Sequence, residues 1–120
     1  MKSITLNLPL TNMDEQPILK ENKDPFLFKD ALMRILGEVG VARQETGENK
    51  LRAYQLGVKI REENVKISFD NHDDYDFIYK QVKESQSFGA VVIGQLMEYF
   101  DKVNKNYEEG KKQNKDKKNG

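Results

Sequence analysis

One stretch, residues 69–100, restricts the possible folds of this chain more than any other, because it contains the longest nearly uncharged apolar run. In its first half, apolar side chains recur every three or four residues, which places them on one face of a helix. These residues are Tyr75, Ile78, Tyr79 and Val82. The second half repeats the pattern with Val92, Ile93, Leu96, Met97, Phe100 and, just beyond it, Val103. The polar link at residues 84–87 is short, so we predict two helices that are antiparallel or steeply angled neighbours.

Alternation of apolar and polar residues predicts β-strands in two other parts of the chain. The apolar members are Ile4, Leu6 and Leu8 near the start, and Val65, Ile67 and Phe69 before an acidic segment. After a polar turn at residues 11–16, the short run 17–19 can return beside the first strand. We therefore predict a small N-terminal β-hairpin, or a three-stranded antiparallel sheet if the strand at 65–69 joins it.

Two more helices are predicted between these strands. Asp24 and Pro25 are a typical helix start, and apolar residues at helical spacing follow up to about residue 38. Residues 51–60 form the next helix, whose apolar side chains cover a broad part of its surface. Together with the two helices described above, the sequence predicts an α+β domain of about four helices.

Acidic residues crowd at residues 70–76, where the third helix is predicted to begin. Carboxylates at this place complement the positive end of the helix dipole, and Ser68 or Asp70 is the expected N-cap. A calcium loop starting at Asp70 lacks the required residue at three of its five key positions. We therefore predict a capped helix start and no metal. The alternative is a divalent-metal site, for which the candidate ligands are Asp70, Asp73 and Asp74.

The chain of 120 residues has room for one domain, which we place at residues 1–107. Residues 108–120 are rich in lysine and asparagine and are predicted to be a disordered tail. The 20 basic residues equal the 20 acidic ones, and the lysines of the tail leave the domain mildly acidic. Such a domain is a poor electrostatic match for nucleic acid. No apolar run reaches the length of a membrane span, and we expect a cytoplasmic protein.

The residue types of common catalytic sites are missing or isolated in this sequence. There are no cysteines, and His72 is the single histidine, which excludes thiolate zinc sites and two-histidine metal sites. Ser87 lacks the G-x-S-x-G context of a nucleophile. The glycines that follow it come after no predicted strand, so they do not form a phosphate-binding loop. We expect a protein that is not an enzyme and that needs no cofactor.

Four segments carry patterns that occur together in one group of proteins. They are Phe28-Lys29-Asp30-Ala31-Leu32, KLRAYQLGVKI at residues 50–60, VKIS at 65–68 and VVIGQLME at 91–98. In this order they resemble small bacteriophage and prophage proteins, which combine a short N-terminal strand with K-[DE]-A-L, R-Y-x-L-x-x-K-I and V-V-G-Q helices. The likeness covers residue 4 to about residue 100, but Phe88-Gly89-Ala90 stands where prolines often precede the last helix of the group. The group has no assigned function, so the resemblance implies a phage origin and no site residues.

From these features we expect a non-enzymatic phage or mobile-element protein that binds a host or phage protein and modulates or inhibits a host system in the bacterial cytoplasm. The alternative is a structural or assembly accessory protein of the phage that self-associates into a homo-oligomer. We expect the interaction surface on the polar faces around residues 69–100 and on the helix at residues 51–60, which supplies an exposed apolar strip in the self-associating alternative. The candidate residues on this helix are Leu51, Tyr54, Gln55, Val58 and Lys59.

Overall fold

The computed structural model of the chain describes the backbone of residues 2–119 and the side chains of residues 2–109. Strand β1 (Lys2–Thr5) is followed by helices α1 (Phe28–Gly37) and α2 (Gly47–Arg61), strand β2 (Lys66–Phe69), and helices α3 (His72–Glu84) and α4 (Ala90–Asn119). Within the described residues this is an α+β fold of four helices and one two-stranded antiparallel sheet. The predicted fold class is confirmed.

The sheet joins two segments that lie far apart in the sequence. Strands β1 and β2 pair antiparallel, with Lys2 opposite Phe69 and Ile4 opposite Ile67. Ile4, Ile67 and Phe69 are buried, so both strands turn one face towards the core. The partner of the first strand is therefore the strand predicted at 65–69. The run 17–19 does turn back beside the preceding segment, but it does so through isolated bridges and adds no third strand within residues 2–119.

Residues 8–27 form an irregular unit that we call the three-proline meander. Its prolines are spaced eight residues apart and each precedes an apolar residue; they are Pro9, Pro17 and Pro25. The backbones of the three apolar residues close a ring, in which Leu10 N donates to Phe26 O (2.8 Å), Phe26 N to Ile18 O (2.8 Å) and Ile18 N to Leu10 O (3.0 Å). Since proline has no N–H to donate to a ladder, the segments meet only at isolated bridges.

The three-proline meander also sets where α1 begins. The ring holds Phe26 outside the helix, so α1 starts at Phe28 and not at Pro25 as the sequence predicted. Leu27 occupies the N-cap position, and the Asp30 carboxylate accepts a hydrogen bond from its backbone N–H at 2.9 Å. An acid in the first turn therefore supplies the capping contact that was expected from Asp24.

Gln95 of α4 attaches the three-proline meander to the rest of the domain. Its carboxamide accepts a hydrogen bond from Thr11 N at 3.0 Å and donates one to Thr11 O at 2.6 Å. The Thr11 hydroxyl donates a further bond to the same amide oxygen at 3.1 Å. One side chain thus pairs with the Thr11 backbone as a neighbouring strand would.

Residues 69–100 supply the centre of the core, as the sequence predicted. Tyr75, Ile78, Val82, Leu96 and Phe100 are each 0% exposed and belong to one apolar cluster with the inner sides of α1, α2 and the sheet. The Tyr75 hydroxyl donates to the carbonyl oxygen of Phe100 at 3.2 Å, and burial raises the pKa of Tyr75. Tyr75 therefore links α3 to α4 within a core to which α1, α2 and the sheet also contribute.

The last helix extends beyond the predicted end of the domain, since α4 spans Ala90–Asn119. The side chains of residues 110–120 lie outside the described part of the chain. The disordered tail at 108–120 stays a prediction. None of the helices in the described range combines the length and the apolar character that a bilayer crossing requires.

Candidate functional site

Helix α2 carries apolar side chains on two opposite faces, which is unusual for a helix at the surface of a small domain. Thr46 begins it as the N-cap, and its hydroxyl accepts a hydrogen bond from Asn49 N at 3.1 Å. The inner face is packed, because Ala53, Leu56 and Ile60 are at most 5% exposed. These three side chains pack α2 against the core.

The second apolar face of α2 points away from the core. Leu51 is 55% exposed and Tyr54 is 66% exposed, while Val58 is half-buried. Gln55 and Lys59 are exposed beside them. All five residues predicted from the sequence as an interaction surface therefore lie on one solvent-facing side of the helix, which we call the outer face of α2.

Two basic side chains of α2, Arg52 and Lys59, make different contacts. At the inner edge, Arg52 donates to the Asp74 carboxylate at 3.0 Å, and its guanidinium lies 4.8 Å from the centre of the Phe77 ring. Lys59 places its ammonium 5.4 Å from the centre of the Phe69 ring. Arg52 thus joins α2 to α3, whereas Lys59 stays exposed along the edge of the outer face.

A cavity of about 80 Å³ lies between the end of α1, the loop after it and the end of α3. Glu38 at its rim accepts a hydrogen bond from the Ser87 hydroxyl at 2.6 Å and one from Arg34 Nε at 3.1 Å. These two bonds, that of Ser87 first, lower the pKa of Glu38. Arg43 and Glu84 form a second pair at 2.6 Å across the rim.

The pairing of these charges gives the cavity a structural role, since it fastens the α1 end to the segments around α3. Among the polar residues of the wall, Gln81 is buried, at 6% exposed. Within the described residues, no fully enclosed side-chain nitrogen or oxygen is left without a hydrogen-bond partner. The contact between a hydroxyl and a carboxylate in this cavity, that of Ser87 with Glu38, lies at the rim, where Arg34 also donates to the carboxylate.

The acidic segment before α3 is a helix cap, as predicted, but the capping residue differs. Asn71 is the N-cap, and its amide oxygen accepts from Asp73 N at 2.8 Å. Ser68 and Asp70, the residues expected in this role, lie before it. Asp74 turns to Arg52 instead of towards a shared metal position. Within the described residues, no three carboxylate, histidine or cysteine groups come together in a way that could hold a metal ion.

Sequence reasoning missed two features that organise the surface. The eight-residue spacing of Pro9, Pro17 and Pro25 was the available signal for the three-proline meander. The cavity had no such signal, because its wall combines residues 35–45 with residues 81–87, two segments that lie far apart in the sequence. Both features also expose apolar side chains, Met13 at 82% in the meander and Val41 at 78% in the cavity loop. The outer face of α2 differs because Leu51 and Tyr54 are exposed together on one face of a regular helix.

Comparisons with known proteins give no family or relative for this chain. The chain matches no protein-family model, no curated protein and no solved structure.

Proposed function

We propose that this chain is a non-enzymatic protein of phage or mobile-element origin that acts in the bacterial cytoplasm by binding another protein molecule through the outer face of α2. One observation carries the proposal: α2 has two apolar faces, and the domain packs only one of them. The resemblance to phage proteins supports the origin. A host or phage protein, whose activity would be modulated or inhibited, and a second copy of the chain are the partners that this proposal covers.

The energetics favour a partner over a free surface. Full burial of a side chain such as Leu contributes about 1.5–3 kcal/mol. Leu51 and Tyr54 each leave more than half of their area in water. A contact that covered both would therefore contribute a few kcal/mol, and tyrosine is enriched at the centres of protein interfaces because it adds area with little rotamer entropy.

A matched pair of leucine variants tests the proposal. Leu51 and Leu19 are both 55% exposed, but Leu51 lies on the outer face of α2 and Leu19 lies in the three-proline meander. A photoreactive phenylalanine analogue at Tyr54 should cross-link a protein in host cells that produce the chain. Leu51→Glu should abolish that cross-link, and Leu19→Glu should leave it intact.

Two results would contradict the proposal. One is a Tyr54 probe that cross-links no protein, in cells or with the purified chain at high concentration. The other is a cross-link that survives Leu51→Glu as well as it survives Leu19→Glu. Circular dichroism of both variants shows whether they fold, since an exposed leucine should tolerate the charge.

A further inference from the structure

We infer that the molecule bound at the outer face of α2 is the antiparallel α2 of a second copy of this chain. The inference rests on the proposed function and names the partner of that same surface. It follows from the order of the residues along the outer face, which is complementary to itself when one helix is reversed. Self-complementarity is the requirement for an interface with a two-fold axis.

The apolar residues of the outer face are symmetric about its centre. Leu51 and Val58 lie at equal distances from the point between Tyr54 and Gln55, about 5 Å along the helix axis on either side. A two-fold axis through this point places Leu51 against Val58 of the second copy, twice. The exposed Tyr54 rings then cover both contacts.

The charges at one edge of this face follow the same symmetry. Glu48 and Lys59 are eleven residues apart, which is about three helical turns, so both lie along one edge of α2. Both side chains are exposed. In an antiparallel pair, Glu48 of each copy comes near Lys59 of the other, with an offset of about 3 Å along the axis. A parallel pair would instead put the Glu48–Lys59 edges of the two copies on opposite sides of the interface, so these ion pairs would not form.

Gln55 lies next to the proposed axis and is exposed in the single chain. Its carboxamide can donate to and accept from the same group of the second copy. A polar side chain at the centre of a helix pair favours one register over shifted ones. The apolar strip is short, so we expect a dimer that dissociates on dilution.

Because the sequence contains no cysteine, disulfides between introduced cysteines test this register directly. Gln55→Cys, beside the axis, should form a covalent dimer on mild oxidation. Gln86→Cys, which places the thiol at an exposed position outside α2, serves as the control and should stay mostly monomeric. In a mixture of differently tagged Leu51→Cys and Val58→Cys chains, the mixed disulfide should exceed both self-pairs, since two Leu51 positions are about 10 Å apart along the axis.

A charge exchange tests the antiparallel order by sedimentation velocity. Glu48→Lys and Lys59→Glu should each raise the dimer Kd by about fivefold to tenfold, because each change affects two exposed ion pairs per dimer. The double variant Glu48→Lys/Lys59→Glu should return to within about threefold of the wild type.

The outcomes separate this inference from the proposed function. If the wild-type chain stays monomeric at high concentration, or if the mixed disulfide shows no preference, the inference is wrong. If in that case the Tyr54 probe still captures a different protein and Leu51→Glu abolishes the capture, the proposed function stands. If the probe captures nothing, both are wrong.

Discussion

Replacing Gln95 by alanine should lower the free energy of unfolding by about 2–3 kcal/mol. The side chain makes three hydrogen bonds to Thr11, two with its backbone and one with its hydroxyl, at 2.6–3.1 Å. A net hydrogen bond contributes about 1 kcal/mol, and the better helix propensity of alanine returns a few tenths. Because Thr11 belongs to the three-proline meander, the loss should loosen this unit from α4.

Urea unfolding followed by circular dichroism measures the change, which corresponds to a fall in Tm of about 8–12 °C. Glu98→Ala is the matched control, an exposed residue one turn further along α4, and should stay within about 0.5 kcal/mol of the wild type. Gln95→Glu keeps an acceptor for Thr11 N but brings a carboxylate against the Thr11 carbonyl oxygen, so it should cost at least as much as alanine at neutral pH. A Gln95→Ala chain as stable as the Glu98→Ala control would refute the anchoring role of this residue.

The remaining predictions concern the backbone at two glycines and the ionisation of Tyr79. Gly57→Ala should stabilise the chain by up to about 1 kcal/mol, because a Cβ there would lie 3.8 Å from Leu36 Cβ, an ordinary contact inside a helix. Gly40→Ala should instead destabilise the chain by about 1–3 kcal/mol, since the φ of Gly40 is +90°. Thermal unfolding measures both variants. A Gly40→Ala chain with a higher Tm than Gly57→Ala would contradict the reasoning. The hydrogen bond from Tyr79 to Asp101 raises the pKa of Tyr79 from 10.0 to about 12. The folded chain therefore holds this proton more tightly than the unfolded one, and stability should fall as the pH rises from 10 towards 12. Tyr79→Phe should remove that part of the slope in urea titrations, and an unchanged slope would argue against the assignment.

Local periodicity was enough to find the helices and the core. The spacing of Tyr75, Ile78 and Val82 defines one helix face whatever surrounds it, and Leu96 and Phe100 define another in the same way. All five are fully buried. The outer residues of α2 were likewise visible in the sequence, because Leu51, Tyr54 and Val58 recur at helical spacing.

Only the tertiary structure decided how these elements are connected and which surfaces remain free. The alternating segment at 2–8 could have paired with 17–19 or with 65–69, and long-range burial of Ile4 against Ile67 selected the second. The ring through Phe26 delayed the start of α1, although Asp24 and Pro25 are locally a good helix start. Both faces of α2 are apolar, so periodicity could not choose between them. Packing against the core chose the side of Ala53, Leu56 and Ile60, and left the outer face of α2 available for a partner.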